Sequence, residues 1–183
     1  DIAGKHGLNI KPVILFKAQK TIEQSNENKR LFHSLIENLS KDEINKIKSR
    51  TDIKEIRRVF TFYENENISV DMLIKKLKID FAENKCLSVN EESEKEKYQL
   101  LINSLEDKDN QIRAIFAVQK LNEGWDVLNL FDIVRLYETR DAKGIKVGKT
   151  TIAEAQLIGR GARYFPFKTN EEQERFKRKY DKD

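Results

Sequence analysis

Val13-Ile14-Leu15-Phe16 is a short apolar run entered through Pro12 and left through Lys17 and Gln19, and its β-branched content between polar flanks predicts a buried strand. Thr21 with Gln24 three residues on has the form of a capping box, and Leu31, Leu35 and Leu39 recur every fourth position beside Phe32 and Ile36, which predicts a following helix. Helical spacing continues from about residue 41 to 80 through Ile44 and Ile47, Ile53 and Ile56, and Leu73 and Leu77, which is read as a helical insertion. Strand character returns at Cys86-Leu87-Ser88-Val89, and Tyr98, Leu101, Ile102 and Leu105 then line one face of another helix. A third strand is expected within Ile112 to Val118 and a fourth within Leu130 to Leu136. Thr151, with Glu154 three residues later, opens a last helix.

Ile115-Phe116-Ala117-Val118 and Ile133-Val134 are continuous apolar stretches, as parallel strands covered by helices on both faces require. Strand and helix alternate, so the expected fold is α/β with a parallel sheet. One domain is expected over residues 1–170, carrying the insertion at about 41–80, followed by a charged helix or tail over 171–183 whose only apolar pair is Phe176 and Tyr180.

Composition narrows the classes without choosing among them. The 183 residues are 36% charged and 38% hydrophobic, polar for a globular chain yet sufficient for a core. The balance of 35 basic against 31 acidic residues, a formal +4, permits a polyanionic partner and does not demand one. A single cysteine, Cys86, excludes an intrachain disulfide and a thiolate zinc cluster, and His6 and His33 are too few for a metal site. No apolar run has the length of a membrane span and no export signal opens the chain, so a cytoplasmic location without membrane contact is expected. The start at Asp1 and the stop at Asp183 suggest a piece of a larger protein.

Two segments carry candidate chemistry. In Gln156-Leu-Ile-Gly159-Arg160-Gly-Ala-Arg163 the four named residues stand at i, i+3, i+4 and i+7, so one helix face presents an amide and two guanidinium groups with no large side chain between them. Glycine inside a helix costs about 1 kcal/mol relative to alanine, and close approach by a ligand or another backbone would explain two of them here. Guanidinium forks suit phosphate oxygens, although a solvated basic helix end has the same pattern. The second segment, Leu121-Asn-Glu-Gly124-Trp125-Asp126-Val127, follows the third strand, where ligand groups gather in parallel sheets. Asp126 could accept hydrogen bonds from a ribose or could cap the next turn, and Trp125 could simply anchor the loop.

The run Ala114-Ile-Phe-Ala-Val-Gln-Lys-Leu-Asn-Glu-Gly124-Trp-Asp126-Val127 and the later Gln156-Leu-Ile-Gly-Arg-Gly-Ala-Arg163 resemble motifs V and VI of superfamily-two helicases. With Lys11-Pro-Val-Ile-Leu-Phe-Lys-Ala18 resembling motif IV, the likeness is greatest to the restriction (Res) subunit of type III restriction-modification enzymes. The resemblance implies the second RecA-like lobe of an ATP-driven DNA translocase, with ATP and Mg2+ held mainly by a first RecA-like lobe of the same chain. It implies that Arg160 and Arg163 are arginine fingers or their neighbours at the γ-phosphate, and that Gln156 senses the phosphate or its water, beside Gly159. Gly124 and Asp126 would lie by the ribose or couple ATP to nucleic acid, and Lys17, Gln19 and Thr21 would touch the DNA backbone. Double-stranded DNA and a methyltransferase (Mod) subunit are the implied partners, and the implied whole enzyme hydrolyses ATP and cleaves DNA. The chain alone is expected to be inert.

Val118-Gln119 replaces the hydroxyl residue that many helicases carry early in motif V, and Gln156-Leu157 stands where many have His-Arg, which favours the restriction and repair branches. Gly144-Ile-Lys-Val-Gly148-Lys149-Thr150 imitates a phosphate-binding loop, but it has three residues between its glycines where the motif needs four. The competing readings are a non-catalytic α/β module binding nucleic acid or protein through the basic face around Arg160 and Arg163, a small P-loop phosphotransferase using Lys149 and Thr150, and the motor lobe of a repair- or chromatin-type helicase.

Overall fold

The computed structural model describes residues 11–19, 21–89, 95–105, 107, 109–118, 129–137, 155 and 158. The chain enters through β1 (Val13–Lys17), turns into α1 (Ile22–Glu37), and runs through three shorter helices, α2 (Lys41–Arg50), α3 (Lys54–Asn65) and α4 (Val70–Asp80). A single 3-10 turn at Glu83–Lys85 leads into β2 (Cys86–Ser88), followed by α5 (Lys95–Asn103), β3 (Ala114–Ala117) and β4 (Leu130–Arg135). Through β4 these are the expected elements in the expected order, with α2, α3 and α4 in the stretch read as an insertion; the helix expected from Thr151 and the charged tail over 171–183 lie outside the described residues.

The four strands make one sheet in the order β2-β3-β1-β4, and every neighbouring pair is parallel. Alternation along β1 explains how the sheet is covered on both faces. Val13 and Leu15 point into a cluster with Leu87, Ile102, Leu105, Ile115 and Leu130, to which α5 adds Tyr98 and Leu101. On the opposite face Phe16 packs with Cys86, Ala114 and Phe116 beneath Phe32 of α1 and Phe81. The rings of Phe16 and Phe116 are stacked with centroids 4.8 Å apart, and Phe32 lies 5.0 Å from Phe16 and 5.5 Å from Phe81. β3, hydrogen-bonded on both sides, is buried along its whole length.

Two sequence expectations turn out differently in detail. β4 pairs only with β1 among the described strands, so Phe131 and Asp132 are exposed and Ile133 and Val134 half-buried, where the apolar run suggested full cover. On α1 the stripe of Leu31 and Leu35 is exposed, and the helix instead seats Ser25 and Phe32 against the sheet. Helical spacing identified the helix there, but the aromatic ring, with the larger contact area, set its rotation.

Polar contacts tie the ends of the sheet to the helices. Asn110 donates from Nδ2 to the Leu101 carbonyl at 2.7 Å and accepts from the Ile112 amide at 2.9 Å, closing the turn between α5 and β3. Asn129, buried just before β4, donates to the carbonyls of Leu105 at 2.6 Å and Lys11 at 3.2 Å, joining three segments distant in sequence. The insertion is fastened at the opposite edge from the strand carboxyl ends. Lys78 Nζ donates to the Glu37 carbonyl at 2.7 Å, and Asp80 faces Arg113, the residue preceding β3, at 3.9 Å.

Candidate functional site

In an open parallel sheet, ligands bind beyond the strand carboxyl ends, where the connections of adjacent strands diverge. Here that place lies between β1 and β3. β1 leads to β2 on the far side of β3, whereas β3 leads to β4 on the far side of β1, so the two outgoing connections run in opposite directions along the sheet.

Lys17 closes β1 and sits in register with Ala117 of β3 on one side and Arg135 of β4 on the other. Two cationic side chains therefore stand on adjacent strands, about 5 Å apart in backbone spacing, at the carboxyl edge. Lys17 is buried and Arg135 exposed. Ala18 is buried beside them, its amide donating to the Ala117 carbonyl at 2.9 Å, while Gln19 is half-buried. Thr21 is the N-cap of α1. Its backbone is extended and its Oγ1 accepts from the Gln24 amide at 3.2 Å, leaving the hydroxyl proton outside that bond. One turn further, Ser25 is buried and Asn26 Oδ1 accepts from Ser88 Oγ at 2.9 Å, which joins the end of β2 to the start of α1.

Of the residues singled out from sequence, Lys17, Gln19 and Thr21 thus gather at one edge. Gly124, Asp126, Gln156, Gly159, Arg160 and Arg163 lie outside the described residues, as does the Gly144–Thr150 lookalike. In the sequence the segment bearing Asp126 stands between β3, which ends at this same edge, and β4. Ile158, the described position of the later segment, and Ala155 just before it are helical and exposed. Arg135, Ser88 and Asn26 escaped the sequence reading. A polar residue closing an apolar strand is a usable signal for Arg135 and Ser88, whereas Asn26 becomes visible only through its contact across the sheet.

The donor set of ammonium, guanidinium and hydroxyl groups at this edge suits phosphate oxygens. It does not resemble a metal cage: among the described residues no three His, Cys, Asp or Glu side chains are grouped to hold an ion. Cys86 offers no nucleophile, because burial pushes its thiol up to about 11 and its Sγ faces the Phe81 carbonyl at 3.6 Å. Among the described residues no helix is long and apolar enough to cross a membrane.

Fold and edge together define a parallel α/β domain with a phosphate-compatible edge, as in a RecA-like domain. Over 168 aligned residues the chain is 35% identical to the "Probable type III restriction-modification enzyme HindVIP Res subunit" of Haemophilus influenzae. The alignment covers 78% of this chain and 32% of that protein, so the chain spans about a third of its relative's length. The family model HI_1054_N, an N-terminal region, matches residues 150–183, which include Gln156 to Arg163 and the charged tail. No solved structure matches the chain.

Proposed function

We propose that this chain is the second RecA-like lobe of the Res subunit of a type III restriction enzyme, an ATP-dependent DNA translocase that also cleaves DNA. The observation that carries the reading is the 35% identity to a Res subunit over 168 residues. The four-stranded parallel sheet supports it, as does the order in which the chain meets its candidate segments. Gly124 and Asp126 follow β3 directly, and Gln156 to Arg163 come after β4.

In this mechanism ATP and Mg2+ are held mainly by the first RecA-like lobe, and the bound nucleotide supplies the phosphoryl group that is transferred to water. This lobe contributes charge. Arg160 and Arg163 approach the γ-phosphate as arginine fingers, which matter because their guanidinium groups stay cationic and offset the negative charge that develops on the transferred oxygens. Gln156, with Gly159 allowing close approach, senses the phosphate or its water, and Gly124 and Asp126 line the ribose side. Lys17, Gln19 and Thr21 meet the DNA backbone at the end of β1, where Lys17 stands in register with Arg135 of β4. The partners are double-stranded DNA and a methyltransferase (Mod) subunit, in the cytoplasm.

The test is DNA-stimulated ATP hydrolysis by the full-length protein carrying Arg163→Ala. Loss of an arginine finger lowers turnover by about 10³-fold or more. Near-normal turnover would return Arg163 to a structural role and remove the chemical core of the proposal.

A further inference from the structure

Ser88 and Asn26 meet at the end of β2, and the motor mechanism uses neither of them. Ser88 closes β2 and is fixed to the sheet: it stands in register with Phe116 of β3, and the amide of the next residue, Val89, donates to the Phe116 carbonyl at 2.9 Å. Its hydroxyl donates to Asn26 Oδ1 of α1 at 2.9 Å, across 62 residues of sequence. Both residues are half-buried, which partly shields the bond from competing water.

Helix geometry shows what this bond adds. α1 lies over β2 and β3 and meets the sheet through Ser25, 1% exposed, and through Phe32, whose ring packs against Phe16, Phe116 and Phe81. Ser25 and Phe32 lie within about 20° of each other around the helix, forming one line of contact that holds its height above the sheet more firmly than its roll. Asn26 lies about 100° from Ser25, off that line and on the β2 side, so its bond to Ser88 opposes the roll. Thr21, the N-cap, stands one turn before Ser25 on the same helix. At a radius of about 5 Å with side chains, a roll of about 20° would carry its Oγ1 by roughly 2 Å. A hydrogen bond to a fixed phosphate oxygen does not survive that displacement.

We infer that Ser88 and Asn26 are positioning residues for the DNA contact at the start of α1: by fixing the roll of the helix on the sheet, their hydrogen bond holds the Thr21 hydroxyl toward the phosphate backbone. The inference rests on the reading that Thr21 touches DNA, and not on the role of Arg163 in ATP hydrolysis. Lys17 belongs to β1, whose pairing with β3 and β4 fixes it independently of α1, so only the helix-borne part of the contact depends on this bond.

The experiment measures the Kd of a short labelled DNA duplex for the full-length protein by fluorescence anisotropy, without nucleotide and at one fixed salt concentration. Thr21→Ala, which removes the contact together with the helix cap, should weaken binding by about 3- to 10-fold, the worth of one hydrogen bond. Ser88→Ala should weaken it by about 2-fold or more, and by no more than Thr21→Ala. Ser88→Thr keeps a hydroxyl and should bind as the unaltered protein does. In the double variant the change at Ser88 should add nothing, because nothing remains at Thr21 to position. Unaltered binding by Ser88→Ala, or failure of Ser88→Thr to restore it, overturns the inference. So does a double variant closer to the product of the two single effects than to Thr21→Ala alone, which is what an independent structural role gives. If Ser88→Ala changes the far-ultraviolet circular dichroism, Asn26→Ala takes its place with the same expectation. An unaltered Kd for Thr21→Ala would remove the DNA-contact reading and the inference with it, whereas an effect at Thr21 without one at Ser88 removes the inference alone.

Discussion

Replacing Phe116 with alanine tests the packing that holds the candidate edge together. The side chain is 1% exposed, stacks on Phe16 at 4.8 Å, and lies 5.6 Å from Phe32 of α1, so its removal empties the contact between sheet and helix. Burial of such a ring is worth about 2–3 kcal/mol by transfer alone. The remainder depends on whether the walls can close over the gap. β3 is hydrogen-bonded to β1 and β2 over its length and cannot shift inward by itself, which places the loss toward the upper part of the usual range of about 3–5 kcal/mol. For a chain of this size a loss of about 4 kcal/mol lowers the melting temperature by roughly 8–16 °C. The assay is urea and thermal unfolding of the 183-residue chain followed by far-ultraviolet circular dichroism. Phe131→Ala, at a side chain 50% exposed on β4, serves as the control and should cost about 1 kcal/mol or less. A loss below about 1 kcal/mol for Phe116→Ala, or one no greater than the control, would refute this account of the core.

Asn129→Ala removes the donor that serves both Leu105 and Lys11 carbonyls, and should cost about 1–3 kcal/mol in denaturant unfolding; a neutral effect would show that these bonds do not brace the sheet. Cys86 should resist thiol reagents at pH 8 until the protein unfolds, since burial holds its thiol up to about 11; rapid labelling of the native chain would contradict its placement. Glu43 closes a capping box with Ser40, and hydrogen bonds from the Ser40 amide and hydroxyl hold its carboxyl below the usual value of 4.5. Its folded-state pKa is depressed, so its contribution is complete above that ordinary value and fades as pH falls through the lowered one. Carboxyl titration by NMR should see Ser40→Ala move Glu43 part of the way back up, the Ser40 amide bond being retained, and an unmoved titration would discard the hydroxyl's share in the cap.

The architecture was legible because two periodicities are strong in this chain. Val13 to Phe16 and Ile115 to Ala117 are apolar without interruption, and the helices carry apolar positions three and four apart, so strands, helices and the parallel arrangement follow from local pattern. Orientation was less legible. The leucines at 31 and 35 obey helical spacing yet face solvent, because Phe32 wins the place against Phe16 and Phe116. β4 reads like a covered strand, but its neighbours are set by sheet order, which the strand's own residues do not encode. At the candidate edge Lys17, Gln19 and Thr21 were singled out through the resemblance of Lys11–Ala18 to motif IV, whose strand they end or follow. Ser88 bonded to Asn26 was not, since 62 residues separate partners that only the crossover brings together. Arg160 and Arg163 were singled out from side-chain chemistry and spacing, a signal that needs no tertiary information, and they lie outside the described residues.

The central claim is a division of labour in which this lobe supplies cationic groups to a nucleotide held elsewhere in the protein. The most direct measurement is DNA-stimulated ATP hydrolysis by the full-length protein beside the 183-residue chain alone, at equal concentration. The account predicts turnover by the full-length protein and none by the chain, because arginines without a phosphate cradle have no bound nucleotide to act on. Robust DNA-stimulated turnover by the chain alone would contradict it.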